Sequence, residues 1–123
     1  MAGKRILLVD DETALLDLMK IRLEANGYDV LTAEDGQLAL DAARKEIPDL
    51  IILDLMLPVV DGYKVCRQLK SEEGYKKIPI LIFSARAQAS DIRMGEEAGA
   101  DGYIVKPFEP AALLSKIREL LKE

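Results

Sequence analysis

An α/β domain built on one parallel sheet is predicted by three features of the chain. Short, unbroken apolar runs recur along it: Ile6-Leu7-Leu8-Val9, Leu50-Ile51-Ile52-Leu53, Ile80-Leu81-Ile82-Phe83 and Tyr103-Ile104-Val105. Runs of this kind read as strands buried on both faces. Segments with helical spacing of apolar residues separate them, so that strand and helix alternate, the pattern of a parallel sheet. Each run also ends in a polar group, namely Asp10-Asp11, Asp54, Ser84 and Lys106-Pro107. In an open α/β sheet, ligand chemistry gathers beyond the carboxyl ends of the strands.

The elements follow in order. Arg5–Val9 is the first strand. Leu15, Leu18, Met19 and Arg22-Leu23 then recur at helical spacing until Asn26-Gly27 supplies a C-terminal cap. Tyr28–Thr32 alternates in polarity and is expected to be an edge strand. Asp35 caps a helix to about Glu46, with Leu38, Ala39, Ala42 and Ala43 inward. Pro48 closes it before a third strand at Asp49–Leu53. A loop through Pro58 leads to Asp61-Gly62 and a third helix, with Tyr63, Val65, Cys66 and Leu69 mostly inward. The fourth strand is Ile78–Phe83. The fourth helix, about Gln88–Glu97, has only Ile92 and Met94 as large apolar residues. Gly95 within it costs about 1 kcal/mol relative to Ala. Gly102–Val105 is the fifth strand, and Pro110 opens a last helix with Leu113, Leu114, Ile117, Leu120 and Leu121 as one stripe.

Short βα connections imply right-handed crossovers. With the half-polar second strand at an edge, the expected architecture is a flavodoxin-like, doubly wound five-stranded sheet in the order 2-1-3-4-5. Its switch point lies between strands one and three, where Asp10, Asp11 and Asp54 would meet.

Composition narrows the function. The 123 residues suit a single domain spanning 1–123. A net charge of −5 without a Lys/Arg run argues against direct nucleic-acid binding. Leu50 to Val60, the longest apolar region, is broken by Asp54 and Pro58, so no membrane insertion is expected. Lys4-Arg5 precedes too few apolar residues for a secretory signal. One cysteine, Cys66, fits a reducing compartment and core packing, and a cytoplasmic protein is expected. Histidine is absent, which removes Ser-His-Asp and Cys-His catalysis and any phosphohistidine of the chain's own.

Three carboxylates at one sheet edge repel one another unless a cation joins them, and a hard divalent ion with oxygen ligands is the natural partner. Asp11 alone reads equally well as a helix cap. Asp54 stands between Leu53 and Leu55-Met56-Leu57, and such a carboxylate can act as a nucleophile. Lys106 offers a point charge suited to phosphate, although lysines are commonly solvated. The bond to Pro107 is open to the cis form. Ser84 supplies one hydroxyl, and in isolation would read as a turn residue.

Together these residues resemble the receiver domain of two-component response regulators, over almost the whole chain. Leu7-Leu8-Val9-Asp10-Asp11-Glu12 resembles the family's acidic opening, and Asp54-Leu55-Met56-Leu57-Pro58-Val59-Val60-Asp61-Gly62 its phosphoacceptor strand and loop. Ser84-Ala85 resembles the hydroxyl-bearing strand end, although threonine is frequent there. Gly99 through Phe108 resembles the closing motif.

The resemblance implies that Asp54 accepts a phosphoryl group from a partner histidine kinase or histidine phosphotransfer protein. It implies that Asp10, Asp11, Asp54 and the Met56 backbone carbonyl hold Mg²⁺, with Mn²⁺ as the alternative, and that Lys106 contacts the phosphoryl oxygens. Ser84 and Tyr103 are the implied switch residues. Met56 and Arg86 occupy variable positions from which side chains of the family tune phosphoryl lifetime, though a loop methionine and a solvated arginine are equally good readings. The thin apolar anchor of the fourth helix suggests that it forms an output face with the fifth strand and last helix, binding a downstream protein. The reading is of a regulatory phosphoacceptor, not an enzyme, resembling a stand-alone regulator. Two rivals are a pseudo-receiver interaction module that is never phosphorylated and a haloacid-dehalogenase-like phosphatase. The latter usually has a second Asp where this chain has Met56.

Overall fold

The computed structural model describes residues 3–123, so the first two positions of the predicted 1–123 domain lie outside the described residues. The strands are β1 (Arg5–Val9), β2 (Asp29–Ala33), β3 (Leu50–Leu53), β4 (Ile80–Ser84) and β5 (Gly102–Val105). They alternate with helices α1 (Thr13–Ala25), α2 (Gly36–Glu46), α3 (Gly62–Ser71), α4 (Ala89–Glu97) and α5 (Pro110–Leu121). All strand pairs are parallel and the order is β2-β1-β3-β4-β5, as the sequence predicts.

Side chains alternate across a strand, so a doubly covered sheet needs apolar residues at consecutive positions. Leu7, Val9, Ile51 and Leu53 pack with Leu40, Val65, Cys66 and Leu69 of α2 and α3. Ile6, Leu8, Leu50 and Ile52 face the other way, against Leu16, Met19 and Leu23 of α1 and Leu113 and Ile117 of α5. Both helical layers hold the sheet, and its C-terminal edge is left for polar groups.

The helix faces differ from expectation in three places. In α1 Leu16 is buried along with Met19 and Leu23, and Leu18 is exposed. In α2, Leu40 is buried and Leu38 lies outside. Two residues along a helix is a rotation of about 200°, so either leucine could have been inward on composition alone. In α4 the buried residue is Gly95, while Met94 is exposed. A Cβ on Gly95 would lie 3.1 Å from Ile82 Cδ1 and 3.3 Å from Tyr103 Cδ2, so α4 reaches the sheet through the missing side chain. Strand β4 starts at Ile80 and not at Ile78, because Pro79 has no N–H to enter the ladder. The Ile80 N–H donates instead to the Asp101 carboxylate at 2.8 Å. Strand β2 is displaced by one residue, to Asp29–Ala33.

Candidate functional site

Strand register assembles the site. Val9 pairs with Leu53, so Asp10 and Asp54 leave the sheet side by side. Ser84 pairs with Val105, which brings Lys106 out beside the end of β4. The ladder runs one residue further on the acidic side: Asp10 N–H donates to the Ala33 carbonyl at 3.2 Å, and Asp54 N–H to the Val9 carbonyl at 3.1 Å. Both aspartates therefore have fixed backbones. Helix α3 backs onto this point. Asp61 caps it by accepting from the Lys64 N–H at 3.0 Å, and Gly62 N–H donates to the Leu55 carbonyl at 3.0 Å. A Cβ on Gly62 would collide with the Asp54 carbonyl oxygen, so only glycine permits this approach.

Asp10, Asp11 and Asp54 each offer a carboxylate oxygen, and these oxygens lie within 4.8 Å of one another. Asp10 and Asp54 are buried and Asp11 is exposed. The Lys106 ammonium bridges Asp10 Oδ2 at 2.8 Å and Asp54 Oδ2 at 3.2 Å. It also sits 4.5 Å from the centroid of the Phe83 ring, in cation–π range. Burial pulls the Lys106 pKa down, but the hydrogen bond to Asp10 and the charges of Asp54 and Asp10 outweigh it and hold it above the ordinary lysine value. The remaining oxygens are oriented by backbone donors: Glu12 N–H reaches Asp10 Oδ1 at 2.9 Å and Met56 N–H reaches Asp54 Oδ1 at 3.3 Å. One ammonium against three carboxylates leaves the cluster negative. Its all-oxygen donor set suits a hard divalent cation, which takes one or two carboxylates plus other oxygens.

A second group lies along the end of β4. Ser84 is buried and its Oγ accepts from the Arg86 N–H at 3.2 Å. The half-buried Tyr103 donates its phenol proton to the Arg86 carbonyl at 2.7 Å. Burial raises the Tyr103 pKa, and the neighbouring Ser84 hydroxyl opposes that rise. Arg86 turns its guanidinium toward Asp91 of α4, at 3.8 Å. Among the described residues no ion pair joins Arg86 to Asp54. Met56 is exposed beside Asp54.

The structure thus brings Asp10, Asp11, Asp54 and Lys106 together, and joins Ser84 to Tyr103 through Arg86. The Lys106–Pro107 peptide is cis. Sequence reasoning missed two contributors. Phe83 is a seat for Lys106, a role visible only once β4 and β5 are in register. Asp91 closes a capping box with Gln88, and the Gln88-x-x-Asp91 spacing was the available signal.

Among the described residues no helix is long and apolar enough to cross a membrane. Residues 6–118 match the family model described as the response regulator receiver domain. The chain is 44% identical over 120 residues to the alkaline phosphatase synthesis transcriptional regulatory protein PhoP of Bacillus subtilis, covering 98% of this chain and 49% of that protein. It spans about half the length of the curated relatives it matches. A putative response regulator from Chloroflexus aurantiacus superposes with a TM-score of 0.93 at 35% identity, over 98% of this chain and 99% of that one. The receiver domain of sensor histidine kinase PA1611 from Pseudomonas aeruginosa, solved with a magnesium ion coordinated in the active site cleft, gives 0.91 at 32% identity. That match covers 99% of this chain and 100% of the other. The family match over residues 6–118 and these likenesses show that the chain belongs to the response-regulator receiver family.

Proposed function

We propose that residues 1–123 act as one receiver domain in which Asp54 accepts a phosphoryl group from a phosphohistidine on a partner kinase or phosphotransfer protein. The observation that carries this is the Lys106 ammonium bridging Asp10 and Asp54 within the three-carboxylate cluster. An Asp54 carboxylate oxygen attacks phosphorus, an O–P bond forms as the P–N bond breaks, and the imidazole departs with the electron pair. Lys106 is placed to face the phosphoryl oxygens with its positive charge, and the Met56 N–H steadies the acceptor carboxylate. Asp10, Asp11 and Asp54, with the Met56 carbonyl, would hold Mg²⁺ or Mn²⁺, which when bound neutralises charge on the transferred group. The magnesium ion in the Pseudomonas aeruginosa relative supports that assignment. Residues 1–123 contain no histidine, so the donor phosphohistidine lies outside this domain.

Ser84 and Tyr103 then read the phosphoryl group, and the α4-β5-α5 face carries the change to a downstream protein. The acidic balance favours a protein partner over nucleic acid for this domain. Met56, exposed at the acceptor, tunes phosphoryl lifetime, as does Arg86 when it leaves Asp91. The unpaired cysteine supports a cytoplasmic location and the role is regulatory, not enzymatic.

The test is intact mass after incubation with Mg²⁺ and a small acyl-phosphate donor. One phosphoryl adduct on the wild type and none on Asp54→Ala is the expected result. No adduct on either, with a donor shown competent on another receiver, would make the chain an interaction module that is not phosphorylated.

A further inference from the structure

Tyr63 takes no part in this chemistry, yet its phenol donates to the Asp91 carbonyl of α4 at 3.2 Å. Asp91 is a junction. Its carboxylate accepts from the Gln88 N–H at 3.3 Å and faces the Arg86 guanidinium at 3.8 Å. Arg86 in turn donates its N–H to Ser84 Oγ and accepts the Tyr103 phenol on its carbonyl. The segment from Ser84 to Asp91 is thus pinned by two tyrosines at two points, Tyr103 from β5 at Arg86 and Tyr63 from α3 at Asp91. The second pin has a firm base, because Asp61 caps α3 and Gly62 seats that helix against the backbone of Asp54. Helix α4 has little other anchorage, since Gly95 is its one buried residue.

We infer that Tyr63 is a positioning residue, a latch that holds the first turn of α4 and keeps the Ser84 loop in the arrangement that receives the phosphoryl group. It links the acceptor loop to α4 without passing through Ser84. The latch itself stands on geometry alone, and its effect on phosphoryl binding rests on the phosphoacceptor reading of Asp54. A ligand that binds one arrangement loses apparent affinity in proportion as that arrangement is depopulated. Loss of one neutral hydrogen bond should lower the ratio of latched to unlatched molecules by roughly fivefold.

The test compares wild type with Tyr63→Phe, which keeps the ring and removes only the hydroxyl. Amide hydrogen exchange over residues 88–94 should quicken by about fivefold in the variant, with β1 and β3 amides unchanged. Binding of beryllofluoride with Mg²⁺, followed by ¹⁹F NMR, should weaken, by up to roughly the same factor. Equal exchange at the start of α4 overturns the latch. Faster exchange with unaltered beryllofluoride affinity overturns the positioning role. A wild type that binds no beryllofluoride overturns the phosphoacceptor reading and the positioning role with it, and the exchange arm still decides the latch.

Discussion

Val59 adopts φ of 70° although it is β-branched, and its side chain is 77% exposed, so packing does not compensate for the backbone. The conformation is set by its neighbours: the Pro58 carbonyl accepts from both Gly36 N–H and Val60 N–H, which fixes the loop across to α2. Left-handed backbone costs an L-residue roughly 1–2 kcal/mol, against which glycine adds about 0.5–1 kcal/mol of chain entropy. Val59→Gly should therefore raise stability by about 0.5–1 kcal/mol, read as a higher urea midpoint at unchanged slope. A lower midpoint would show that the valine is held by something other than backbone geometry. No sequence pattern announces this strain, because it comes from a contact with a segment more than twenty positions away. Cys66 was legible from its place on an apolar helical face. It is fully buried, and burial pushes its thiol up to about 11. At pH 8 about one molecule in a thousand carries the thiolate in the folded state. Alkylation by iodoacetamide should thus proceed only at the rate of unfolding, and rapid labelling of native protein would contradict this burial.

At the scale of elements, the strands were the most legible part of the chain. Three of the four apolar runs are doubly buried strands, β1, β3 and β4. The fourth, Tyr103-Ile104-Val105, is in the edge strand β5 and is only half-buried, with Val105 exposed, because no strand pairs beyond it. Turn residues such as Asp35 and Asp61 act locally, as caps. Helix faces were less legible, since Leu16 against Leu18, and Leu38 against Leu40, differ only in which side the sheet happens to lie. Gly95 shows the same limit more sharply. In sequence it is a helix defect; in the fold it is the place where α4 meets Ile82 and Tyr103. An exposed Gly→Ala change in a helix should gain about 1 kcal/mol. Here the added methyl must displace a fully buried isoleucine or the Tyr103 ring, and overpacking typically costs 1–3 kcal/mol. Gly95→Ala should thus bring no gain in urea stability and should shift the environment of the Tyr103 ring, seen in its aromatic NMR signals. A full gain of about 1 kcal/mol with an unmoved ring would show that α4 is not seated through Gly95.

For the molecule as a whole, the candidate site is a stability liability in the absence of a divalent ion. Its members were legible because each stands at the end of an apolar run, but the balance of charge among them depends on distances the sequence does not contain. With an effective dielectric constant near 20, two unit charges at 4.8 Å interact by about 3.5 kcal/mol, and two at 3.2 Å by about 5 kcal/mol. Asp54 thus has one attractive neighbour, Lys106, and two like-charged ones, the buried Asp10 and the exposed Asp11, so the cluster as a whole keeps excess negative charge. Desolvation of the carboxylate acts in the same direction. Asp54→Asn should therefore stabilise the fold by about 1–2 kcal/mol in EDTA, because the amide oxygen can still accept from Lys106. Lys106→Met should do the reverse: it strips Asp10, fully buried, of its partner, and breaking such a pair costs about 3–5 kcal/mol. Mg²⁺ should then reorder the series. A hundredfold excess over its Kd adds about 2.7 kcal/mol to any variant that retains the full acidic set. The wild type should gain this and Asp54→Asn should gain little, so their thermal midpoints converge or cross on titration from EDTA into Mg²⁺. If the midpoint of the wild type does not move with Mg²⁺ while Asp54→Asn remains more stable, the carboxylates repel as described but hold no ion, and the acidic edge is an electrostatic strain without a metal to relieve it.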